Sequence, residues 1–257
     1  MKPARQRSDR LSTTVYNYQE NIMTNQTNNI NNTNHINNTN HINHINQTNH
    51  TNHTNHINHI NKTAIITGAS RGIGAAIAKK LASCGYNLSL CCRNSSDRLK
   101  ALADELHCAY GIEVLCYTGN VGDFFFAKDM VANTISHFGH IDVLINNAGI
   151  SHIGLLSDMT PEEWNNIVAI NLTGVFNFTK LVIPYMVADK CGRILQISSV
   201  WGNVGASCEV AYSACKGGIN AFTKALGKEL APSHIPVNAI ACGVIDTDMN
   251  LCFDETE

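Results

Sequence analysis

The chain has 257 residues, a length that suits one large α/β domain. Its formal net charge of −2 at pH 7 disfavours nucleic-acid binding. No apolar run approaches the ~18 residues of a membrane span. The 10 cysteines are scattered without a Cys-x-x-Cys pair, as is typical of a reducing cytoplasm rather than of disulfides or zinc sites. We therefore expect a cytoplasmic protein without nucleic-acid partner, membrane partner or metal.

Residues 1–61 differ in composition from the rest of the chain. From Asn21 to Asn61 the sequence is almost entirely Asn, His, Thr and Ile, repeating Asn-His-Ile or Asn-His-Thr. A period of three matches neither a strand nor a helix face, and the run has no aromatic residue. We expect 1–61 to be a disordered low-complexity tail whose evenly spaced histidines make a poor metal site. The folded domain is then 62–257.

From Lys62 onward, apolar strand patterns alternate with helical ones. The strands are predicted at 63–67, 87–92, 112–118, 141–146, 193–198 and 236–241. The helices are predicted at 73–84, 95–109, 123–138, 161–187 and 209–231. This alternation predicts a Rossmann-like, doubly wound parallel sheet with helices on both faces.

A glycine-rich turn follows the first predicted strand. Residues 67–74 read Thr-Gly-Ala-Ser-Arg-Gly-Ile-Gly and lead into a helical pattern. In this context Gly68 permits the tight turn, Gly72 lets a pyrophosphate approach the backbone, and Gly74 lets the helix pack closely. The N–H groups at the helix start would hold the phosphate. The turn therefore predicts a dinucleotide site.

The tip of the second predicted strand indicates which dinucleotide is bound. An acidic residue there would bind the ribose 2′-hydroxyl of NAD. Residues 90–94 read Leu-Cys-Cys-Arg-Asn and contain no carboxylate. Arg93, with Arg71 in the glycine-rich turn, offers two cations to a 2′-phosphate. The sequence therefore favours NADP(H) over NAD(H).

A serine, a tyrosine and a lysine occur together in the second half of the chain. Tyr212 and Lys216 are spaced i and i+4, so they share a helix face. The lysine ammonium is expected to lower the phenol pKa from its usual ~10 and allow proton exchange near neutrality. Ser199 ends a predicted buried strand, at the edge where parallel sheets bind ligands. The spacing alone is a weak signal.

Five motifs in order resemble the short-chain dehydrogenases/reductases over about residues 62–252. They are Thr-Gly-x-x-x-Gly-Ile-Gly at 67–74, Asn-Asn-Ala-Gly at 146–149, Asn171, Ser199 and Tyr212-x-x-x-Lys216. Within that family the chain looks most like the 3-oxoacyl-acyl-carrier-protein reductases of fatty acid synthesis. The resemblance implies reduction of a ketone to a secondary alcohol, with hydride from NADPH.

The resemblance also assigns roles to residues. Tyr212 would supply the proton, Ser199 would hydrogen-bond the carbonyl oxygen, Lys216 would hold the nicotinamide ribose, and Asn171 would orient a water relay. The expected cofactor contacts, besides Tyr212 and Lys216, are Gly68, Ser70, Arg71, Gly72, Ile73, Gly74, Arg93, Asn120, Val121, Asn147, Ala148, Gly149 and Ile245.

Two substrates fit the resemblance. One is a 3-oxoacyl thioester on acyl carrier protein. Residues 199–210 also look like a relative that reduces the 5-aminopentanone modification on elongation factor P. Glu209 suits a cationic amine there, although an acidic residue at a helix start is ordinary. Both substrates are carbonyls tethered to a small protein.

Two departures from the family bear on activity. Cys242-Gly243 stands where the family has Pro-Gly, which removes a rigid residue. Relatives also continue for a few dozen residues, through a substrate lid, a helix and a final strand. We therefore expect 62–257 to lack that helix and strand, and a catalytically impaired fragment is an alternative. The resemblance also implies a homodimer through helices 161–187 and 209–231.

Overall fold

The computed structural model describes residues 61–247. Except for Asn61, the predicted low-complexity tail lies outside the described residues, and so do residues 248–257. The predicted disorder of the tail, and the expectations about the end of the chain, therefore concern parts of the sequence that the structure does not describe.

Six strands alternate with helices along the described chain. The strands are β1 (Thr63–Thr67), β2 (Asn87–Cys92), β3 (Val114–Thr118), β4 (Val143–Asn146), β5 (Arg193–Ser199) and β6 (Val237–Cys242). The α-helices are α1 (Gly72–Ala82), α2 (Ser96–Tyr110), α3 (Phe124–Phe138), α4 (Pro161–Val168), α5 (Gly174–Asp189), α6 (Trp201–Val204) and α7 (Val210–Leu230). A π-helical turn (Ala169–Thr173) joins α4 to α5, and a 3₁₀ turn (Ala231–Ser233) follows α7.

The strands form one parallel sheet in the order β3-β2-β1-β4-β5-β6. Strand order reverses between β1 and β4, where Ala64 pairs with Val143. Ligands bind at such a switch point, outside the carboxyl ends of the strands. The predicted Rossmann-like, doubly wound fold is confirmed.

Both faces of the sheet are covered by helices, so its central strands are buried on both faces and mainly apolar. All five residues of β1 are buried, and successive side chains enter different cores. Ile65 packs in the core that contains Phe178 of α5. Ile66 packs in the core that contains Leu99 of α2. The result is a rigid platform for the loops at its carboxyl edge.

The sequence predicted one helix at 161–187, whereas the structure has α4, the π turn and α5. Asn171 lies in the π turn, and its amide bonds to the backbone of Ile150 instead of facing solvent. A π turn of this kind commonly marks a functional position. The sequence also missed α6, whose four residues, Trp-Gly-Asn-Val, carry no apolar period.

One helical segment of the described chain is long and strongly apolar. Among the described residues, Pro161–Asp189 is long and apolar enough to cross a membrane by length and composition. Half of its most apolar window is buried inside the protein, as in a core helix. Phe178, Val182 and Met186 are among the buried side chains of this segment. The segment is therefore weak evidence for a membrane span.

Candidate active site

A pocket of about 1310 Å³ lies along the carboxyl edge of the sheet. It brings together the glycine-rich turn, the tips of the strands and the start of α7. The predicted site residues that line it are Gly68, Ser70, Arg71, Gly72, Ile73, Arg93, Asn120, Val121, Asn147, Ala148, Gly149, Ser199, Tyr212, Lys216 and Ile245. Gly74 and Asn171 lie behind this lining.

Backbone geometry explains the glycines of the turn. Gly68 has φ +66° and Gly72 has φ +54°, a left-handed conformation that favours glycine. A Cβ at Gly74 would lie 2.3 Å from the carbonyl oxygen of Gly68. No side chain caps the start of α1, and its first turn has no acidic residue. The N–H groups there therefore fit a pyrophosphate.

Two side chains brace this turn from below. Asn147 Nδ2 donates to the carbonyl oxygens of Thr67 and Gly68, each at 3.0 Å. Thr67 Oγ1 accepts from the backbone N–H groups of Asn147 and Ala148, each at 3.0 Å. The tips of β1 and β4 are thereby joined. Thr67 opens the predicted motif at 67–74, but no role was predicted for its hydroxyl, although a hydroxyl at the end of a buried apolar strand was a signal for one.

The far end of the pocket is cationic. Arg71 and Arg93 line it together with Asn94 and Ser95. Arg93 Nη1 also donates to Asn166 Oδ1 on α4 at 3.5 Å. Two guanidinium groups fit the 2′-phosphate of NADP. Among the described residues that line this end of the pocket, none is an acidic acceptor for the ribose 2′-hydroxyl of NAD.

Ser199 and Tyr212 meet at the other end of the pocket. Ser199 is the last residue of β5 and is 7% exposed. Its Oγ accepts from the backbone N–H of Trp201 at 3.2 Å. A side-chain hydrogen bond joins Ser199 to Tyr212, in the first turn of α7. The two hydroxyls therefore converge on one point of the cavity.

Lys216 and Asn171 lie behind that pair. Lys216 is 4% exposed, its Nζ donates to the Ile197 carbonyl oxygen at 2.6 Å, and burial lowers the pKa of Lys216 to about 8. Asn171 Oδ1 accepts from Ile150 N–H and Nδ2 donates to Ile150 O, each at 2.8 Å. A Cβ at Gly149 would lie 3.0 Å from Asn171 Oδ1 and 3.7 Å from Lys216 Nζ. The geometry thus places the lysine and the asparagine side by side.

The pKa of Tyr212 differs from the sequence expectation. Burial raises this pKa, the hydrogen bond to Ser199 opposes the rise, and the charge of Glu209 adds to it. Lys216 does not offset burial, because its Nζ bonds to Ile197 and lies 5.5 Å from the Tyr212 ring centroid. The expected lowering of the Tyr212 pKa was therefore wrong. A neutral phenol at neutral pH is a proton donor.

The substrate side of the pocket carries Trp201, Ser151 and Glu209. Ser151 Oγ donates to Glu209 Oε2 at 2.7 Å, which fixes the carboxylate. Among the residues that the structure describes, Glu209 supplies the one carboxylate of the lining. Ser151, which follows the Asn-Asn-Ala-Gly motif by two residues, was not among the predicted site residues.

The last residue of β6 and the segment that follows it complete the pocket. Cys242, Gly243 and Ile245 line it, and the Cys242 carbonyl oxygen accepts from Val200 N–H at 2.8 Å. The strand end is thus tied to the loop after Ser199 without a proline. Between residues 61 and 247, no three His, Cys, Asp or Glu side chains form a group that could hold a metal ion.

The doubly wound sheet, the glycine-rich turn and the cationic end of the pocket define an NADP-dependent oxidoreductase. The chain belongs to the short-chain dehydrogenase/reductase family, because the family profile described as short chain dehydrogenase matches residues 62–257. This confirms the family predicted from the motifs, and the cofactor is NADP(H).

Relatives with known names agree with this assignment. The chain is 41% identical over 188 residues to a 3-oxoacyl-acyl-carrier-protein reductase of Staphylococcus aureus, which covers 73% of this chain and 76% of that relative. It is similar to a crystal structure of an actinorhodin polyketide ketoreductase variant with NADPH (TM-score 0.70, 38% identity, 74% of this chain and 72% of that one). It is also similar to a metagenomic short-chain oxidoreductase in complex with NADP (TM-score 0.68, 34% identity, 71% and 82%).

Proposed function

We propose that this reductase converts a 3-oxoacyl group, carried as a thioester on acyl carrier protein, to the 3-hydroxyacyl group in the cytoplasm, as a step of fatty acid synthesis. The convergence of Ser199, Tyr212 and Lys216 at one end of an NADP-type pocket carries the proposal. The similarity to a named 3-oxoacyl-acyl-carrier-protein reductase supports the substrate.

At the reacting end, bound NADPH supplies the hydride that reaches the carbonyl carbon. Tyr212 donates its proton to the carbonyl oxygen as negative charge grows there, and its raised pKa keeps that proton available at neutral pH. Ser199 Oγ accepts from Trp201 N–H, which leaves its own proton to stabilise the same oxygen.

Lys216 and Asn171 support this chemistry from behind. Lys216 would hold the nicotinamide ribose, and a pKa of about 8 suits it to return a proton towards Tyr212. Asn171 would orient the water relay to Lys216. Its amide, already bonded to Ile150 through both polar atoms, keeps this part of the pocket wall fixed beside the lysine.

The nucleotide would lie along the rest of the lining. Gly68 and Gly72 would admit the pyrophosphate, and Gly74, behind them, would let α1 pack close enough to present its N–H groups. Ser70 and Ile73 would contact the pyrophosphate through the turn, and Arg71 with Arg93 would bind the 2′-phosphate. The remaining proposed contacts are Asn120, Val121, Asn147, Ala148, Gly149 and Ile245.

Glu209 supports a second candidate, the 5-aminopentanone modification on elongation factor P. Its carboxylate is held by Ser151 and lines the pocket beside Tyr212. A primary ammonium on the substrate would pair with that charge, whereas a neutral acyl chain would not. Both candidates are protein-tethered ketones and use the same reducing residues.

The two candidates are separated by comparing NADPH oxidation with acetoacetyl-acyl carrier protein and with elongation factor P that carries the aminopentanone. A higher kcat/KM for the carrier-protein substrate supports the first candidate, and the reverse supports the second. No oxidation with either substrate, in a protein whose unfolding temperature rises with NADPH, would refute both and leave cofactor binding intact.

We also propose a homodimer through α4, α5 and α7, within the predicted ranges 161–187 and 209–231. Support comes from aromatic side chains exposed on the first two helices: Trp164 (39%), Phe176 (44%) and Tyr185 (38%). Exposed aromatic surface of this kind is typical of protein interfaces. Sedimentation equilibrium of the full chain tests this, and a monomer at micromolar concentration would contradict it.

A further inference from the structure

The segment between Ser199 and Tyr212 forms the wall of the substrate side, and it rests on the catalytic helix. Its short helix α6 carries Trp201, which lines the pocket. A Cβ added at Gly202 would lie 2.6 Å from the carbonyl carbon of Lys216 and 2.8 Å from its oxygen. Helix α6 therefore packs directly on the turn of α7 that holds Lys216.

A side chain one turn further along α7 ties this packing together. Asn220 Nδ2 donates to Asn203 Oδ1 of α6 at 2.8 Å. Asn220 Oδ1 accepts from Ser198 Oγ of β5 at 2.6 Å, and Ser198 Oγ also lies 3.3 Å from the Lys216 carbonyl oxygen. One amide thus joins the strand that ends at Ser199, the wall helix and the catalytic helix.

We propose that Asn220 is a positioning residue, which clamps α6 to α7 so that Ser199, Trp201 and Lys216 keep their spacing during ketone reduction. The inference rests on the proposed reduction for its kinetic consequence. Small displacements at a reacting centre have large effects, since misplacement by ~1 Å can cost ~10²-fold in rate. Asn220 does not itself line the pocket. It acts through the residues that do.

The position of the clamp separates its role from general stability. The Asn203–Asn220 bond lies at the protein surface, where water can replace a lost partner. Losing it should therefore leave the folded state nearly as stable as before. Its loss should instead shift α6 relative to α7. The fluorescence emission of Trp201, which lies on α6, would detect that shift.

The test uses aspartate substitutions at the two asparagines, made singly and together. Asn203→Asp keeps an acceptor for Asn220 Nδ2. Asn220→Asp keeps the acceptor for Ser198. It also accepts a hydrogen bond from Asn203 Nδ2 once the Asn203 side-chain amide flips by about 180°. The double variant places two carboxylates face to face and breaks the clamp. Lys224→Asp is the control, because it lowers the net charge by as much as the double variant does. Lys224 is exposed and lies one turn further along α7.

Each single variant and the control should retain kcat for ketone reduction within about 3-fold, while the double variant loses about 10- to 100-fold. The Kd of NADPH and the unfolding temperature should stay near the parent values. In a Trp164→Phe background, the emission of Trp201 should shift in the double variant alone. This last measurement also tests the clamp if the proposed reaction proves wrong, since it needs no substrate.

Two results would overturn the inference. One is a double variant as active as the singles with unchanged Trp201 emission. The other is a loss of kcat that follows the loss of unfolding temperature across all variants, the control included, because that pattern indicates general destabilisation.

Discussion

The nucleotide end of the pocket is shaped by backbone, whereas the catalytic end is shaped by buried side chains. At the first end, Gly68 and Gly72 adopt left-handed conformations and Gly74 leaves no room for a Cβ. At the second, Lys216 and Asn171 are almost fully buried and bond to backbone carbonyl or amide groups. At the nucleotide end, replacing a glycine by a residue with a side chain would strain or displace the backbone. The catalytic end depends on the identity of its buried side chains.

Substitutions at the two ends should therefore have different effects. Changes at the nucleotide end should alter cofactor affinity and choice and leave the chemical step alone. Changes at Ser199 or Tyr212 should alter the chemical step and leave cofactor affinity nearly unchanged. Lys216, which would also hold the nicotinamide ribose, should in addition affect cofactor binding and the pH dependence of stability. A nucleotide-end variant that slows the chemical step with cofactor bound, or a Tyr212 variant that loses cofactor affinity, would contradict this division.

The largest effect is expected at Tyr212. Tyr212→Phe removes the proton donor and keeps the ring, so kcat for ketone reduction should fall by about 10³-fold. The Kd of NADPH, measured by fluorescence titration, should change little. Turnover close to that of the parent chain would remove Tyr212 from the mechanism, and lost NADPH binding would contradict the separation of the two ends.

The sequence could predict most of the fold and of this site for a physical reason. A strand, a glycine-rich turn and a helix form a local unit, so 67–74 could be located without knowing the rest of the structure. The i, i+4 spacing of Tyr212 and Lys216 is equally local. The predicted strands and helices agree with the structure to within about two residues at most ends, which is the usual scatter of such boundaries.

The remaining features depend on contacts between distant segments. The Ser151–Glu209 bond and the Asn147 braces to the glycine turn join residues from separate loops. The raised pKa of Tyr212 follows from burial and from where Lys216 Nζ points, and neither is visible in spacing. The π turn at Asn171 likewise reflects its bonds to Ile150, a residue before the helix begins.

A smaller effect is expected at the cationic end. Arg93→Ala removes a guanidinium from the proposed 2′-phosphate site, and the affinity for NADPH should fall about 10-fold, since hydrogen bonds to charged groups contribute ~1.5–3 kcal/mol. NADH, which lacks that phosphate, serves as the control ligand and should bind equally well to both proteins. An equal loss for both cofactors would place Arg93 outside the 2′-phosphate site.

The smallest effect is a pH dependence of stability caused by Lys216. Burial lowers its pKa to about 8 from 10.5, so between these values the unfolded chain binds a proton that the native chain has released. Native stability should therefore rise with pH in that window by about 1 kcal/mol per pH unit relative to a Lys216→Met variant. Urea unfolding of both proteins between pH 7 and about pH 10 measures the difference. If the unfolding free energies of the two proteins changed in parallel with pH, the pKa of Lys216 would not be lowered in the native state.

The most direct test of the account follows the hydride itself. NADPH carrying deuterium at the transferred position is given to the parent chain with acetoacetyl-acyl carrier protein, and the product is analysed by mass spectrometry. Reduction by the Ser199, Tyr212 and Lys216 site predicts a 3-hydroxyacyl product with one deuterium on its carbinol carbon, and almost none from Tyr212→Phe. Unlabelled product from the parent chain would contradict the account, and so would equal amounts of labelled product from the parent chain and from Tyr212→Phe.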